Sequence, residues 1–295
     1  MEHKIFNGSS DRDHQLETGV SLHREGRFDE AKAWYQKILK IHPRDPVALH
    51  LLGVLMHQTG DVDSGIELMH QAIQVKPEYV DAHNNLANAY AAVKNYALAE
   101  THYQEALRLN PVHAQAQANL GKILLEQDRL PEAEQAFRSA IITSPSYPEA
   151  HNNLGVVLKR QGHLNQAIFS YQAAIKARPD YAEAHNNLGN AKKEMGQAKE
   201  AVHHYQRAVF ISPHYAEARN NLGSAFADLG NLEEARQLFQ QTLELVPRHP
   251  RALENLGSVL LRQGKADEAL EILQRAVEQN PLSAQAKISL GQCLD

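Results

Sequence analysis

HNNLG stands at residues 151–155 and again at 185–189, with HNNLA at 83–87 and RNNLG at 219–223. Asparagine is a poor choice inside a helix, because its side chain competes for backbone hydrogen bonds. A doubled asparagine recurring 34 residues apart therefore reports a repeated structural need. The same step carries a small residue through Gly19, Gly53, Ala87, Gly121, Gly155, Gly189, Gly223, Gly257 and Gly291. It carries proline without exception from Pro43 through Pro77, Pro111, Pro145, Pro179, Pro213 and Pro247 to Pro281. A third series runs Ala31, Gly65, Ala99, Ala133, Ala167, Ala201, Ala235, Ala269, and a fourth is mostly alanine from Ala72 to Ala276.

One unit, residues 148–181, explains the pattern. Ala150, Leu154, Val157 and Leu158 fall at helical spacing, so the first half reads as an amphipathic helix. Gly162 stops it, and Asn165 begins a second helix whose buried stripe is Ala167, Ile168, Tyr171, Ala174 and Ile175. Pro179 lies just past the end of that helix and cannot extend it. Gly155, Ala167 and Ala174 are small enough to let the two helices approach closely, and the larger residues fill the remaining space.

These residues resemble the 34-residue helix-turn-helix of the tetratricopeptide repeat, over essentially the whole chain. The resemblance implies an all-α fold, a right-handed α-solenoid superhelix in which each repeat touches only its neighbours. After an N-terminal tail at 1–11, eight repeats are expected at 12–45, 46–79, 80–113, 114–147, 148–181, 182–215, 216–249 and 250–283. Residues 284–295 begin a ninth, either a capping helix or the front of a longer protein, with Leu290 and Leu294 on its packing face. Gly65, standing where most repeats have alanine, is expected to weaken repeat two by roughly 0.5–1 kcal/mol.

Numbered from the start of each repeat, positions 3, 7, 8, 10 and 11 form the packing face. Positions 2, 5, 6, 9 and 13 form the stripe that the resemblance places on the concave surface. Position 6 is Asn85, Asn119, Asn153, Asn187, Asn221 and Asn255 in six consecutive repeats. Position 5 adds Asn84, Asn152, Asn186 and Asn220; position 9 adds Asn88 and Asn190, and also carries Lys122. Packed helices lie about 8–10 Å apart, and an extended chain advances about 3.3–3.6 Å per residue, so one repeat spans about three residues of a peptide. An amide donates and accepts, as a peptide bond does. Two roles follow for these residues: a ladder that holds a peptide backbone, or amides that bridge adjacent helices.

The stretches ALHLLGVLMHQTG, DAHNNLANAY and EAHNNLG look like the N-terminal repeat arm of bacterial multidomain proteins carrying an O-linked N-acetylglucosamine transferase-like or sulfotransferase module. In the eukaryotic transferases of this kind a concave asparagine ladder holds the substrate backbone. Glu17 and Leu51 depart from it, so such a groove would begin at repeat three. The principal expectation is a non-enzymatic scaffold for an extended protein segment. The alternatives are the substrate-recruiting arm of a transferase whose catalytic module is absent here, and a scaffold that associates end to end with itself.

Other classes are disfavoured. The carboxylate clamp that some such repeats use for chaperone C-termini needs Lys at position 5 and Arg at position 6, and neither occurs. Net charge is −5, and Lys122, Lys159, Arg160 and Lys193 are interrupted by Glu126, Glu194 and Asp228, so no phosphate track for nucleic acid is expected. His83, His151 and His185 share position 4 but lie a repeat apart, too far to share a metal, and read as packing residues. His203 and His204 read as solvent-exposed. Tyr79, Tyr147, Tyr181 and Tyr215, at the last position of their repeats, read as packing between neighbours. No catalytic residues, cofactor or metal are expected. With one cysteine, no apolar leader segment in the first residues and no long apolar run, the expectation is a cytoplasmic protein without membrane insertion.

Overall fold

The computed structural model describes residues 8–293. Two compact units make up the chain, one up to Pro145 and the other from Ser146. In the first, the helices are α1 (Gly8–Arg24), α2 (Phe28–Ile41), α3 (Pro46–Gln58), α4 (Val62–Val75), α5 (Val80–Ala92), α6 (Tyr96–Leu109), α7 (Ala114–Glu126) and α8 (Leu130–Thr143). In the second they are α9 (Pro148–Arg160), α10 (Leu164–Ala177), α11 (Ala182–Glu194), α12 (Ala198–Ile211), α13 (Ala216–Asp228), α14 (Leu232–Leu245), α15 (Pro250–Arg262), α16 (Ala266–Gln279) and α17 (Ala284–Gly291). The described residues are all-α, with odd-numbered helices opening the repeats and even-numbered helices closing them.

Local chemistry sets the boundaries. Asp45 accepts hydrogen bonds from the Val47 and Ala48 amides ahead of Pro46, a capped start with proline in the first turn. His113 and His249 cap α7 and α15 through Nδ1, which accepts from Ala116 and Ala252 at 3.1 and 3.2 Å. Each ring's Nε2 faces a carboxylate on the preceding opening helix, Asp81 of α5 at 3.6 Å and Glu217 of α13 at 3.4 Å. At the turn inside each repeat one residue is left-handed. It is glycine at Gly26, Gly60, Gly162, Gly196, Gly230 and Gly264, but Lys94 and Asp128 hold φ 59° without that freedom.

Within a repeat the small residue at position 8 seats the large one at position 24. A Cβ on Gly155 would lie 2.5 Å from Tyr171 Cε1, and Tyr171 is buried. Repeat two is built differently. Gly53 and Gly65 face each other across α3 and α4, and a Cβ on Gly65 would meet the Gly53 carbonyl oxygen at 2.8 Å. Gly65 is thus not simply a weakened alanine site: backbone meets backbone there, and the expected cost relative to alanine does not apply.

Two boundaries differ from expectation. Helix α1 starts at Gly8, four residues ahead of Arg12, so the proposed tail is partly helical; residues 1–7 lie outside the described residues, as does Leu294. Helix α10 starts at Leu164, one residue before Asn165. The other opening helices begin at the residues the repeat frame gives, Pro46, Val80, Ala114, Pro148, Ala182, Ala216, Pro250 and Ala284.

Inside each unit the opening helices of successive repeats touch one another, as α9 touches α11, α11 touches α13 and α13 touches α15. The closing helices touch only opening helices. The opening-helix layer is therefore the closely spaced, concave one within each unit.

Candidate functional site: the asparagine face

Positions 5 and 6 separate sharply in three dimensions. Asn84, Asn152, Asn186 and Asn220 are buried, and Asn152 is 0% exposed. Their placement on an open concave stripe is corrected accordingly: 100° per residue turns position 5 into the seam between neighbouring opening helices. Asn85, Asn119, Asn153, Asn187, Asn221 and Asn255 are half-buried, at the edge of that seam.

In the second unit the two positions are joined. Asn187 Nδ2 donates to Asn152 Oδ1 at 3.0 Å, Asn221 Nδ2 to Asn186 Oδ1 at 3.0 Å, and Asn255 Nδ2 to Asn220 Oδ1 at 3.1 Å. The Asn186–Asn187 and Asn220–Asn221 doublets therefore look both ways along the stack: the buried member receives the next repeat, and the half-buried member reaches back to the previous one. This explains why asparagine is tolerated mid-helix: a buried amide acceptor meets a donor supplied one repeat later, and buried polar groups need partners.

In the first unit the same residue type meets other partners. Asn85 Nδ2 donates to His50 Nε2 at 2.8 Å, and His50 Nδ1 lies 3.0 Å from the Tyr79 hydroxyl. That arrangement requires His50 neutral with its proton on Nδ1, and burial pushes its pKa down to about 4. Asn119 Nδ2 donates to Asn88 Oδ1 at 2.9 Å, a turn along the helix from Asn84, whose own Oδ1 has no hydrogen-bond partner.

Position 9 has a second duty that the sequence reading missed. The hydroxyls of Tyr103 and Tyr205 donate to Asn88 and Asn190 Oδ1 at 2.6 and 2.8 Å. Asn221 Nδ2 also reaches Asn190 Oδ1, at 3.2 Å. The available signal was the pairing of Asn at position 9 with Tyr at position 24, which occurs in repeats three and six alone. Lys122, also at position 9, is exposed in the first unit. The mixed charges are interlocked: Lys159 pairs with Glu194 at 3.2 Å and Lys193 with Asp228 at 3.0 Å, each one repeat ahead.

The histidines pack, with one correction. His83 and His185 are buried, and each donates from Nε2 to a turn carbonyl, Pro77 at 3.0 Å and Pro179 at 3.1 Å. His83 Nδ1 lies 3.1 Å from His102 Nδ1. His203 is exposed, but His204 is half-buried beside His185, with ring centroids 5.8 Å apart; burial lowers its pKa to about 4. No group of three or more metal-ligating side chains gathers among the described residues, and no described helix is long and apolar enough to cross a membrane.

Three family models for the tetratricopeptide repeat match residues 5–46, 58–109 and 86–148; 159–196 and 189–230; and 214–281. A peroxisomal targeting signal receptor of Candida glabrata is 31% identical over 94 residues, 32% of this chain but only 16% of the receptor. Among solved structures, the APC/C hetero-tetramer Cut9-Hcn1 aligns over 99% of this chain and 57% of its own, with TM-score 0.70 and 19% identity. Pseudomonas aeruginosa PilF aligns over 73% of this chain and 98% of its own, with TM-score 0.66 and 18% identity. YrrB, described as a tetratricopeptide repeat protein with an unusual peptide-binding site, aligns over 63% of this chain and 96% of its own, with TM-score 0.54 and 25% identity.

Proposed function

We propose, from the premise that this chain belongs to the tetratricopeptide repeat family, that it is a protein-interaction scaffold whose second unit holds an extended polypeptide segment along the half-buried amides of Asn153, Asn187, Asn221 and Asn255. Asn190 flanks this row, and Asn85, Asn88, Asn119 and Lys122 offer a shorter one in the first unit. The buried Asn84, Asn152, Asn186 and Asn220 act as brackets behind the rows and do not touch the ligand.

One observation carries the reading. Each of Asn187, Asn221 and Asn255 uses an N–H to tie itself to the repeat before it and remains half exposed. An amide has two donors and an acceptor oxygen, so Asn187 and Asn255 each hold a donor and the oxygen in a fixed orientation for a peptide group, and Asn221, whose second donor reaches Asn190, holds the oxygen. A fixed amide loses little rotamer entropy on binding, so pre-organisation favours affinity. The described peptide-binding site of YrrB and the receptor role of the Candida glabrata relative support a scaffold that takes protein ligands.

The test is selection of ligands from a displayed peptide library against the full chain. The selected peptides are then measured against a variant with Asn→Ala at 153, 187, 221 and 255, once circular dichroism shows both fold. Loss of at least about tenfold in affinity, shared across peptides of unrelated sequence, supports backbone capture, since several amide contacts of about 1 kcal/mol each are removed. Equal affinity, or loss confined to one side-chain motif, overturns it.

A further inference from the structure

The junction of repeats one and two differs from the later junctions in the residues it places between opening helices. Position 9 of repeat one is Val20 and position 6 of repeat two is Leu51; at no other junction are both of these residues aliphatic. At later junctions the same pair can be two amides tied to each other, as Asn119 donates to Asn88 at 2.9 Å and Asn221 to Asn190 at 3.2 Å. Positions 12 and 13 change in the same direction. They form the ion pairs Lys159–Glu194 and Lys193–Asp228 further along the chain. In repeats one and two they are His23 and Gln58, and a hydrogen bond of 2.6 Å from His23 Nε2 to Gln58 Oε1 replaces the ion pair.

Together with Phe28, the first residue of α2, these side chains line an open cleft of about 600 Å³. That lies within the range of ligand sites, about 300–1,000 Å³. Val20, Leu51 and Phe28 supply its apolar surface; the first two are half-buried and Phe28 is 39% exposed, so all three present atoms to a ligand. The His23 and Phe28 rings meet at 87° with centroids 5.8 Å apart, an edge-to-face pair that a further ring can extend. Both nitrogens of His23 are engaged, since Nδ1 lies 3.4 Å from the Tyr35 hydroxyl. Arg24 also lines the cleft, is exposed, and has no ion-pair or hydrogen-bond partner among the described residues. Its neighbour Glu25 is occupied by Ser21 at 3.0 Å and Arg27 at 3.2 Å. No carboxylate lines the cleft, so the guanidinium is an unmatched cation beside an apolar surface.

We propose that this cleft receives a phenylalanine side chain, flanked by acidic residues, from a partner polypeptide. The aliphatic pair and the edge-to-face rings suit a phenyl group, whose burial removes apolar surface from water on both partners. The free guanidinium can take a carboxylate in its planar fork, which places the acidic residue beside the ring. The side chains involved belong to repeats one and two, ahead of the first asparagine at position 6. The cleft is therefore tested without touching the amide rows, and either proposal stands or falls without the other.

The experiment is an amide-shift titration of the full chain with three capped tripeptides, Asp-Phe-Asp, Asp-Ala-Asp and Lys-Phe-Lys, run to their solubility. The expected result is saturable shifts with Asp-Phe-Asp in the second half of α1, the start of α2 and the second half of α3. Asp-Ala-Asp, which lacks the ring, binds at least about tenfold more weakly. Lys-Phe-Lys binds about threefold or more weakly than Asp-Phe-Asp, and the difference shrinks with salt. Leu51→Asn, which restores the residue of the later repeats at a half-buried position, weakens both phenylalanine peptides. Arg24→Gln, an exposed and milder change, removes the preference for acidic flanks while the gain from the ring remains. Circular dichroism checks that both variants fold. Absence of saturable shifts in these helices with folded wild-type protein overturns the proposal. So does equal binding of Asp-Phe-Asp and Asp-Ala-Asp, or an unchanged preference for acidic flanks in Arg24→Gln.

Discussion

The opening helices of repeats six to eight and those of repeats three and four carry the same asparagine at position 6, yet it does different things. In the second unit Asn187, Asn221 and Asn255 each find a buried amide oxygen at position 5 of the preceding repeat. In the first, Asn85 finds the imidazole of His50 and Asn119 finds Asn88, leaving Asn84 Oδ1 orphaned. A residue's role in a solenoid is thus set by what the previous repeat offers it. Composition at one position does not fix function there, because the contact is always between two repeats.

The largest expected effect exploits the histidine that replaces an amide in this ladder. His50 has a folded pKa lowered from 6.5 to about 4. The unfolded chain therefore takes up the proton first. Stability is full above pH 6.5 and is lost as pH falls from there towards 4, by on the order of 3 kcal/mol from this group. His102 and His204, also lowered to about 4 by burial, act in the same direction but are only half-buried and contribute less. Urea titrations across this window should show a falling midpoint, and His50→Asn, which restores the amide of the second unit, should flatten it. An unchanged slope in that variant would remove His50 from the account.

Next in size is a comparison of two position-5 asparagines. Asn220→Ala takes the buried acceptor away from the Asn255 amide at the seam and is expected to cost about 2 kcal/mol. Asn84→Ala removes an oxygen that already lacks a partner and a long 3.3 Å contact to Asn85, so it should cost under about 1 kcal/mol. Equal losses in denaturant unfolding would show that the amide bond is not what distinguishes the two units.

A smaller gain is expected at the two turns of the first unit that lack glycine. Lys94→Gly and Asp128→Gly relieve left-handed backbone at φ 59° and should each raise stability by up to about 1 kcal/mol, partly offset by the greater freedom of glycine in the unfolded chain. Gly162→Lys, at φ 83° in the second unit, should lose a similar amount. Thermal midpoints of the three variants test the pair of signs. Smallest is Lys193→Ala, which breaks a half-exposed ion pair to Asp228 and should change stability by less than about 0.5 kcal/mol, less still at high salt.

Much of the architecture was legible because periodicity is a property of the chain alone. The step of 34, the small residue at position 8 and the proline after each closing helix fix where helices start, stop and touch within a repeat. The burial of Ala150, Leu154 and Tyr171 follows from that spacing without further information. Helix α1 reaches back to Gly8, ahead of Arg12, because no proline or glycine stands at 9–11 to stop it. Gly65 was misjudged because a propensity scale compares one residue with alanine in an open helix, whereas here a carbonyl of the facing helix occupies the place of the Cβ.

The asparagine face divides along the same line. Helical geometry assigns positions 5 and 6 to neighbouring directions 100° apart, and sequence stops there. Which of the two falls inside the seam depends on how closely the opening helices of adjacent repeats approach, and that is set by tertiary packing. So too with Gln117: that its Nε2 meets the Pro111 carbonyl while its Oε1 finds no partner is decided by the packing around it, which spacing along the chain does not show. Periodicity is local and can be counted along the chain, whereas the partner of a polar side chain is a neighbour in space, decided when one repeat closes on the next.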